Sequence, residues 1–235
     1  MTKLVVAKFG GSAIGIDGDS IPLIINRIND MKQDSKVIAV FSAPLTVQNG
    51  KKYSLTDVML EQGRNTESGI KANLDVIRTC YQKILRFVNS QNNDNCQKTI
   101  DSFLKKAEKA LDEALEKKEF VDEVRSRSLA FSGEILMSHV MNYILRSNGI
   151  ESDAVGFENW PIITDNNIES TNFLASKSRE NMDNIAKLVE ENQVVTIGGF
   201  IGKTTDGITT TYERGGSDRT AADLPTTSIA VSSPT

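Results

Sequence analysis

Short apolar segments rich in β-branched residues alternate along this chain with longer segments of helical periodicity. The apolar segments span residues 4–7, 37–42, 153–157 and 194–197. Segments that are apolar on both faces are typical of strands in a parallel sheet covered by helices on each side. The alternation therefore predicts an α/β fold, a three-layer α/β/α sandwich around a mainly parallel sheet.

Five segments carry apolar residues at spacings of three and four, as amphipathic helices do. They span residues 21–32, 70–88, 99–118, 129–145 and 179–192. A polar connector at residues 89–95 joins the second helix to the third, which predicts a helical hairpin inserted at about residues 69–120. Further along, Asp206–Gly207 between β-prone residues predicts a β-hairpin within residues 200–211.

Length and charge limit the classes of protein that this chain can belong to. Its 235 residues, 39% of them hydrophobic, suit one large globular domain, here residues 1–235. A net charge of −4 argues against a nucleic-acid partner, which requires clustered positive charge. No apolar run approaches the roughly 18 residues of a membrane span, and Lys8 interrupts the first run too early for a signal peptide. The sequence thus predicts a cytoplasmic protein with reduced cysteines.

The first chemical signal is a glycine-rich turn where the first predicted strand ends. It contains Lys8, Gly10, Gly11 and Ser12. Paired glycines let the backbone approach a ligand closely, and a lysine beside exposed amides suits phosphate oxygens. Ligands of open α/β sheets bind at the carboxyl ends of the strands, where this turn falls. The alternative is a plain tight turn, and the turn alone does not decide between the two.

A second glycine-rich turn comes near the end of the chain, at Arg214, Gly215, Gly216, Ser217 and Asp218. It lies at a predicted helix start, where a serine is a favoured cap. Helix N-termini attract anions, and arginine pairs bidentately with carboxylates or phosphates. The alternative for Asp218 is an acid that stabilises the helix dipole.

Glu134 is an acid within an otherwise apolar segment, residues 129–137. Such a carboxylate must either reach solvent or find a cationic partner, and the ammonium group of an amino-acid substrate would serve. The alternative is exposure at a helix start. Ser42 ends one predicted strand and Phe200 follows another, and both are expected at the same edge of the sheet as the glycine turns.

These residues, in this order, resemble the aspartate kinase family within the amino-acid kinase fold. The resemblance covers residues 3 to about 223. The sequence stretches that carry it are KFGGSAIG at 8–15, VFSA at 40–43, SGE at 132–134, GGFIG at 198–202 and TTTYERGGSDRTAA at 209–222.

The resemblance implies an enzyme that phosphorylates the side chain of L-aspartate with ATP, accompanied by Mg²⁺, in the biosynthesis of lysine, threonine and methionine. Separately, a homo-oligomer is expected, because a sheet left exposed after Asp223 would have unpaired strand edges and apolar patches that seek partners. Lys8 and Asp218 would be catalytic, and Glu134 would bind the substrate ammonium group. Arg214 would bind its α-carboxylate. The remaining implied roles are ATP binding by Gly10, Gly11 and Ser12 with Lys8, and completion of the aspartate pocket by Ser42, Phe200 and Ser217.

The sequence departs from the family pattern in three places. Gln48 stands where a threonine usually contacts aspartate, and Glu213 stands where glycine is usual. After Asp223, the expected C-terminal nucleotide-holding part and the ACT regulatory domains are absent from this sequence. The alternative to a kinase is therefore a non-catalytic fragment that retains aspartate binding but lacks a complete ATP site, and that binds ATP weakly.

Overall fold

The computed structural model describes residues 3–213 and 215–226 of the chain. Within these residues, no helix is both long and apolar enough to cross a lipid bilayer. The strands, numbered in chain order, are β1 (Lys3–Phe9), β2 (Ser35–Phe41), β3 (Leu45–Gln48), β4 (Lys51–Ser54), β5 (Ser152–Ala154), β6 (Val194–Gly198), β7 (Ile201–Lys203) and β8 (Thr209–Thr211).

Four of these strands form the central sheet, in the order β1-β2-β6-β5, and every pairing in it is parallel. All five residues of β6 are buried, as are six of the seven in β2. Because successive strand residues point to opposite faces, this burial means that both faces of the sheet are covered. The predicted α/β fold with a mainly parallel sheet is confirmed.

Helices fill the layers on the sheet. They are α1 (Gly11–Ile14), α2 (Ile21–Met31), α3 (Leu55–Glu67), α4 (Asp75–Ile84), α5 (Ser90–Lys117), α6 (Asp122–Ser132), α7 (Glu134–Ser147), α8 (Ala175–Glu191) and α9 (Gly216–Thr226), with short 3-10 turns at Leu85–Phe87 and Phe157–Asn159. Helix α7 packs on β2, β5 and β6, and α2 and α8 pack on β2. The apolar core lies between these helices and the sheet.

The single helix predicted over residues 129–145 is wrong, because Gly133 divides it into α6 and α7. Gly133 packs closely against other residues of the protein: a β-carbon there would lie 3.1 Å from the carbonyl oxygen of Leu129 and 3.2 Å from the β-carbon of Ala43. The break allows the segment to approach the end of β2. As a result Glu134 becomes the first residue of α7.

The polar connector predicted at residues 89–95 is also wrong. Asn89 caps α5, its side chain accepting a hydrogen bond from the backbone N–H of Asn92 at 3.0 Å, so the polar residues that follow are the first turns of a 28-residue helix. Helix α4 is tied to α5 by Arg78, which lies 3.2 Å from Asp101 and 2.9 Å from Glu108. Helix α5 itself packs on α3, α6 and α7.

Two β-hairpins lie outside the central sheet. The β7–β8 hairpin confirms the prediction from Asp206–Gly207. The β3–β4 hairpin was not predicted, although its turn, Asn49–Gly50, has positive φ at both residues (48° and 75°) and is a strong hairpin signal. This second hairpin leads directly into α3, whose first residues face the site described below.

Candidate active site

A cleft of about 880 Å³ opens at the carboxyl edge of the sheet. Parallel strands bring their carboxyl ends to one edge: the Ser42 N–H donates to the Phe9 carbonyl at 3.0 Å, and the Gly199 N–H donates to the Phe41 carbonyl at 2.8 Å. Most of the site residues predicted from the sequence line the cleft, namely Lys8, Gly11, Ser12, Ser42, Glu134, Phe200, Ser217 and Asp218. Gly10 lies in the same turn behind Lys8, whereas Arg214 lies outside the described residues.

The first glycine turn is closely packed, and its tightest position is Gly11, which faces backbone. A β-carbon on Gly11 would lie 2.8 Å from the carbonyl oxygen of Ala43, and one on Gly10 would lie 3.0 Å from the Lys8 Nζ. The lysine side chain thus lies over the backbone of its own turn, with 27% of it exposed to the cleft. Gly11, Ser12 and Lys8 thus line the same space.

Lys8 joins the first turn to the second. Its Nζ lies 3.0 Å from Oδ1 of Asp218, in the first turn of α9. Asp218 is 71% exposed, so its carboxylate is held by the lysine rather than by burial. The two motifs that the sequence singled out separately therefore meet at one end of the cleft.

The two turns also interlock through their backbones. Phe200, between β6 and β7, adopts a positive φ of 67°, a strained conformation for a residue with a side chain. Its N–H donates to Thr220 Oγ1 at 3.1 Å, in α9. A β-carbon on Gly199 would lie 2.6 Å from that of Ser217, and one on Gly216 would lie 2.7 Å from the Phe200 ring. This close packing fixes Ser217 and Phe200 against each other at the cleft wall.

Glu134 is the most unusual group in the cleft. It is only 4% exposed, and burial raises the pKa of its carboxyl to about 7, against the smaller opposing effects of nearby backbone amides and of Thr56. Thr56 donates to Oε1 at 3.4 Å, and Oε2 has no hydrogen-bond partner among the described residues. The alternative of exposure at a helix start is wrong. What remains is a buried carboxylate that faces the cleft without a described cation beside it.

Surrounding groups hold Glu134 in place. A β-carbon on Gly198 would lie 2.8 Å from the Glu134 carbonyl carbon, so α7 touches the backbone of β6 here. Just before Glu134, the hydroxyl of the fully buried Tyr81 lies 3.1 Å from the carbonyl oxygens of both Ser132 and Gly133, and donates toward them. The start of α7 is thus fixed from two directions.

Sequence reasoning missed the contribution of the α3 N-terminus. Ser54, Thr56 and Asp57 line the cleft, and Gln48 does not. Thr56 lies close to Glu134, with its hydroxyl 3.4 Å from Oε1. The signal was present, because Ser54 is a favoured helix cap: its hydroxyl accepts the Asp57 N–H at 3.0 Å and donates to the Asp57 carboxylate at 2.8 Å at the start of α3.

The outer wall of the cleft carries further charged residues that the sequence did not point to. Arg125 of α6 forms an ion pair with Glu169, and both line the cleft. Beside them, Ser170 donates to the exposed carboxylate of Glu213 at 2.6 Å. Glu213 is thus held by a neighbouring hydroxyl at the rim of the cleft.

The chain is similar in sequence to a known protein family and to a curated relative. The amino acid kinase family matches residues 3–225. The chain is 25% identical over 223 residues to the bifunctional aspartokinase/homoserine dehydrogenase of Buchnera aphidicola, covering 92% of this chain and 26% of that protein. The chain thus spans about a quarter of that curated relative.

Solved structures share the fold. E. coli aspartokinase III in complex with aspartate and ADP superposes with a TM-score of 0.74 at 22% identity, covering 94% of this chain and 46% of that one. The aspartate kinase of Clostridium acetobutylicum gives a TM-score of 0.62 at 24% identity, covering 94% of this chain and 44% of that one. The chain spans less than half the length of these structural neighbours.

Proposed function

Because the chain belongs to the amino acid kinase family, we propose that it is an aspartokinase. In this proposal it transfers the γ-phosphoryl group of ATP to the side-chain carboxylate of L-aspartate and makes 4-phospho-L-aspartate. The reaction would be the first step of an aspartate-family amino-acid pathway leading to lysine, threonine and methionine. The similarity to aspartokinases over 92% of this chain supports the choice of acceptor.

One observation carries the proposal: the buried, unpaired carboxylate of Glu134 lies in the same cleft as the Lys8–Asp218 pair. A carboxylate kept out of water without a cation costs several kcal/mol if ionised. The ammonium group of an amino acid supplies the missing charge. The cleft therefore offers a site for an amino acid at one end and for phosphates at the other.

The chemistry requires positioning and charge neutralisation more than acid–base catalysis. The acceptor carboxylate is already an anion at neutral pH, so no general base has to activate it. Negative charge spreads over the oxygens of the phosphoryl group during transfer, and a fixed cation beside them lowers the barrier. Lys8 supplies that cation, and Asp218 orients it across the 3.0 Å contact.

Glu134 and the residues around it bind the acceptor, L-aspartate, in this proposal. Glu134 accepts the ammonium group, and Thr56 holds its carboxylate. Ser42, Phe200 and Ser217 form the walls that complete the pocket. Arg214, outside the described residues, is assigned the α-carboxylate by the family resemblance. His139 takes no part, because it does not line the cleft and packs against Phe103 with ring centroids 4.8 Å apart.

ATP would lie with its phosphates against Gly10, Gly11 and Ser12, beside Lys8. Among the described residues, no three metal-liganding side chains converge on one point. Magnesium at phosphoryl-transfer sites usually needs only one or two carboxylates in addition to phosphate oxygens, and Asp218 suits that role. The ion, when bound, neutralises charge on the phosphates.

The proposal also includes a cytoplasmic location and a homo-oligomeric assembly. Both cysteines, Cys80 and Cys96, are buried free thiols, which suits a reducing compartment. Sedimentation velocity of the purified chain over a range of concentrations tests the assembly. A species that stays monomeric at every concentration contradicts that part of the proposal.

The deciding experiment is a hydroxylamine-trapping assay on this chain with ATP and L-aspartate, with and without Mg²⁺. Formation of aspartyl hydroxamate that requires all three components supports the proposal. L-Glutamate and D-aspartate serve as matched acceptors and are expected to react poorly. Calorimetric binding of L-aspartate with no hydroxamate would instead support the non-catalytic alternative, and neither binding nor product would contradict both.

A further inference from the structure

Tyr81 is a fully buried tyrosine that has no part in the function proposed above. It lies in α4, within the segment of residues 69–120 that the sequence predicted as an insertion, and it does not line the cleft. Burial raises the pKa of its hydroxyl well above the usual range, and the nearby Cys80 and Glu134 raise it further. The hydroxyl therefore stays protonated at neutral pH and acts as a hydrogen-bond donor.

The Tyr81 hydroxyl donates to the backbone at the break between α6 and α7. It lies 3.1 Å from the carbonyl oxygen of Ser132 and 3.1 Å from that of Gly133. Ser132 is the last residue of α6, where carbonyls lack partners within the helix. The Gly133 carbonyl accepts the Met137 N–H at 2.9 Å and so belongs to the first turn of α7. One side chain thus joins the end of one helix to the start of the next.

The backbone at this break determines where Glu134 lies. Gly133 has φ −117° and ψ −99°, far from helical values, and glycine has a wider choice of conformations than any other residue. Glu134 follows it directly. Oε1 of Glu134 is 3.4 Å from the Thr56 hydroxyl, and Oε2 has no hydrogen-bond partner among the described residues. The place of the carboxylate therefore depends strongly on the backbone that carries it.

Helix α4 is itself anchored, so Tyr81 is a fixed point for that backbone. Two residues further along, the Lys83 ammonium group lies 2.7 Å from Oδ2 of Asp17. The other oxygen of this carboxylate accepts the Thr46 hydroxyl at 2.8 Å, and the Asp17 N–H donates to the Leu45 carbonyl at 2.7 Å. These contacts tie α4 to the chain that follows the first glycine turn.

We propose that Tyr81 is a positioning residue for the acceptor: through the backbone carbonyls at the break, its hydroxyl holds the Glu134 carboxylate where that group meets the ammonium group of L-aspartate. This inference rests on the proposed function and gives the helical insertion a part in the amino-acid site. Because Tyr81 does not line the cleft, its effect on binding passes through Glu134.

Calorimetry on the full chain tests the assignment with Tyr81→Phe, which keeps the buried ring and removes the hydroxyl. The Kd for L-aspartate should rise about five- to tenfold, as expected for one lost hydrogen bond in a buried place. The Kd for ATP should stay close to the wild-type value. A hydroxyl that only stabilises the fold would lower the thermal unfolding midpoint and leave both dissociation constants unchanged.

A double-mutant cycle with Glu134→Gln separates positioning from a general loosening of the cleft. If Tyr81 acts through the Glu134 carboxylate, Tyr81→Phe should raise the Kd for L-aspartate in the wild-type chain and hardly change it in the Glu134→Gln chain. Ligand-observed NMR measures the weaker affinities of the second pair. Equal rises in both backgrounds would overturn the inference.

Tyr143→Phe is the matched control. Tyr143 lies in α7, the helix that begins at Glu134, and its hydroxyl is 3.1 Å from Oγ1 of Thr99, but it does not line the cleft. This variant should keep the wild-type Kd for L-aspartate. A Tyr81→Phe chain that binds L-aspartate like the wild type would overturn the inference and leave the proposed function standing. A wild-type chain that does not bind L-aspartate would overturn the proposed function as well.

Discussion

The Nζ of Lys8 lies 3.0 Å from Oδ1 of Asp218, although the two residues come from opposite ends of the described chain. β1 ends just after Lys8, and α9 begins just before Asp218. The contact is therefore where the first and last described elements of the fold meet. Because both side chains are accessible, at 27% and 71%, the pair contributes little to stability and remains available to a ligand.

Replacing Lys8 should affect the reaction and not the fold. In Lys8→Ala, kcat for phosphoryl transfer should fall by about 10²–10³, the typical cost of one preorganised group that stabilises developing charge. The Kd for L-aspartate and the thermal unfolding midpoint should stay close to the wild-type values. Hydroxamate assay, calorimetry and thermal unfolding measure the three quantities.

Lys36→Ala is the control for removing a lysine from the sheet. Lys36 lies in β2, and its ammonium group donates to the backbone carbonyl of Asn192 at 3.0 Å, away from the cleft. That variant should keep its kcat. A Lys8→Ala enzyme with near-normal kcat would show that the first glycine turn has been given the wrong role.

Substrate affinity should depend on pH through Glu134. Burial raises the pKa of its carboxyl to about 7 in the free protein. Only the ionised form pairs with an ammonium group, so the affinity for L-aspartate should weaken as the pH falls from 8 to 6, and binding near pH 7 should release protons. Calorimetry in buffers of different ionisation enthalpy measures the released protons. A Kd that is flat over this range would contradict the pairing.

Glu134→Gln should raise the free energy of unfolding and weaken the binding of L-aspartate. The folded-state pKa lies above the unfolded value, so the wild-type chain loses stability as pH rises from about 4.5 to 7 and bears the full penalty above that. A shift from 4.5 to about 7 corresponds to a penalty on the order of 3 kcal/mol, which glutamine removes. The variant should therefore be more stable at pH 8, with the difference vanishing below about pH 4.5.

The same variant should bind L-aspartate poorly while its affinity for ATP hardly changes, since glutamine carries no charge for the ammonium group. Removing one partner of a buried ion pair commonly costs about 2–5 kcal/mol. Denaturant unfolding at two pH values and calorimetry with each ligand separate these effects. An unchanged Kd for L-aspartate would return Glu134 to a structural role.

The sequence predicted those elements whose signal is local. The β-branched runs identified the strands of the sheet, and Asp206–Gly207 identified the β7–β8 hairpin, because turn chemistry and strand pattern act over a few residues. The break at Gly133 was not predicted, because Gly133 packs against Ala43, a residue distant in the sequence, and a local pattern does not show such a contact. The periodicity of residues 129–145 continues across it and gives no warning.

The residues of the candidate site likewise include some that the sequence could predict and some that it could not. Glycine turns and strand ends could be placed at one edge by topology alone, which brought Lys8, Ser42 and Phe200 together. Thr56 and Arg125 could not be found so, because each reaches the cleft from an element outside the sheet. The burial of Glu134 could not be predicted from the positions of apolar residues along the sequence either. Helix starts are usually exposed, whereas the start of α7 packs on β6.

The close approach of β6 to α7 gives the last prediction. A β-carbon on Gly198 would lie 2.8 Å from the Glu134 carbonyl carbon and 2.9 Å from the Ile135 backbone nitrogen. Backbone atoms cannot swing aside as side chains do, so Gly198→Ala must displace the start of α7. The Kd for L-aspartate should rise about tenfold, and overpacking should cost about 1–3 kcal/mol of stability.

Gly207→Ala is the control for this variant. No atom lies within 4 Å of the β-carbon position of Gly207, so the substitution strains only the backbone, whose φ there is 87°. That variant should lose stability without losing affinity, and a Gly198→Ala chain that binds L-aspartate like the wild type would show that the position of Glu134 does not set the affinity.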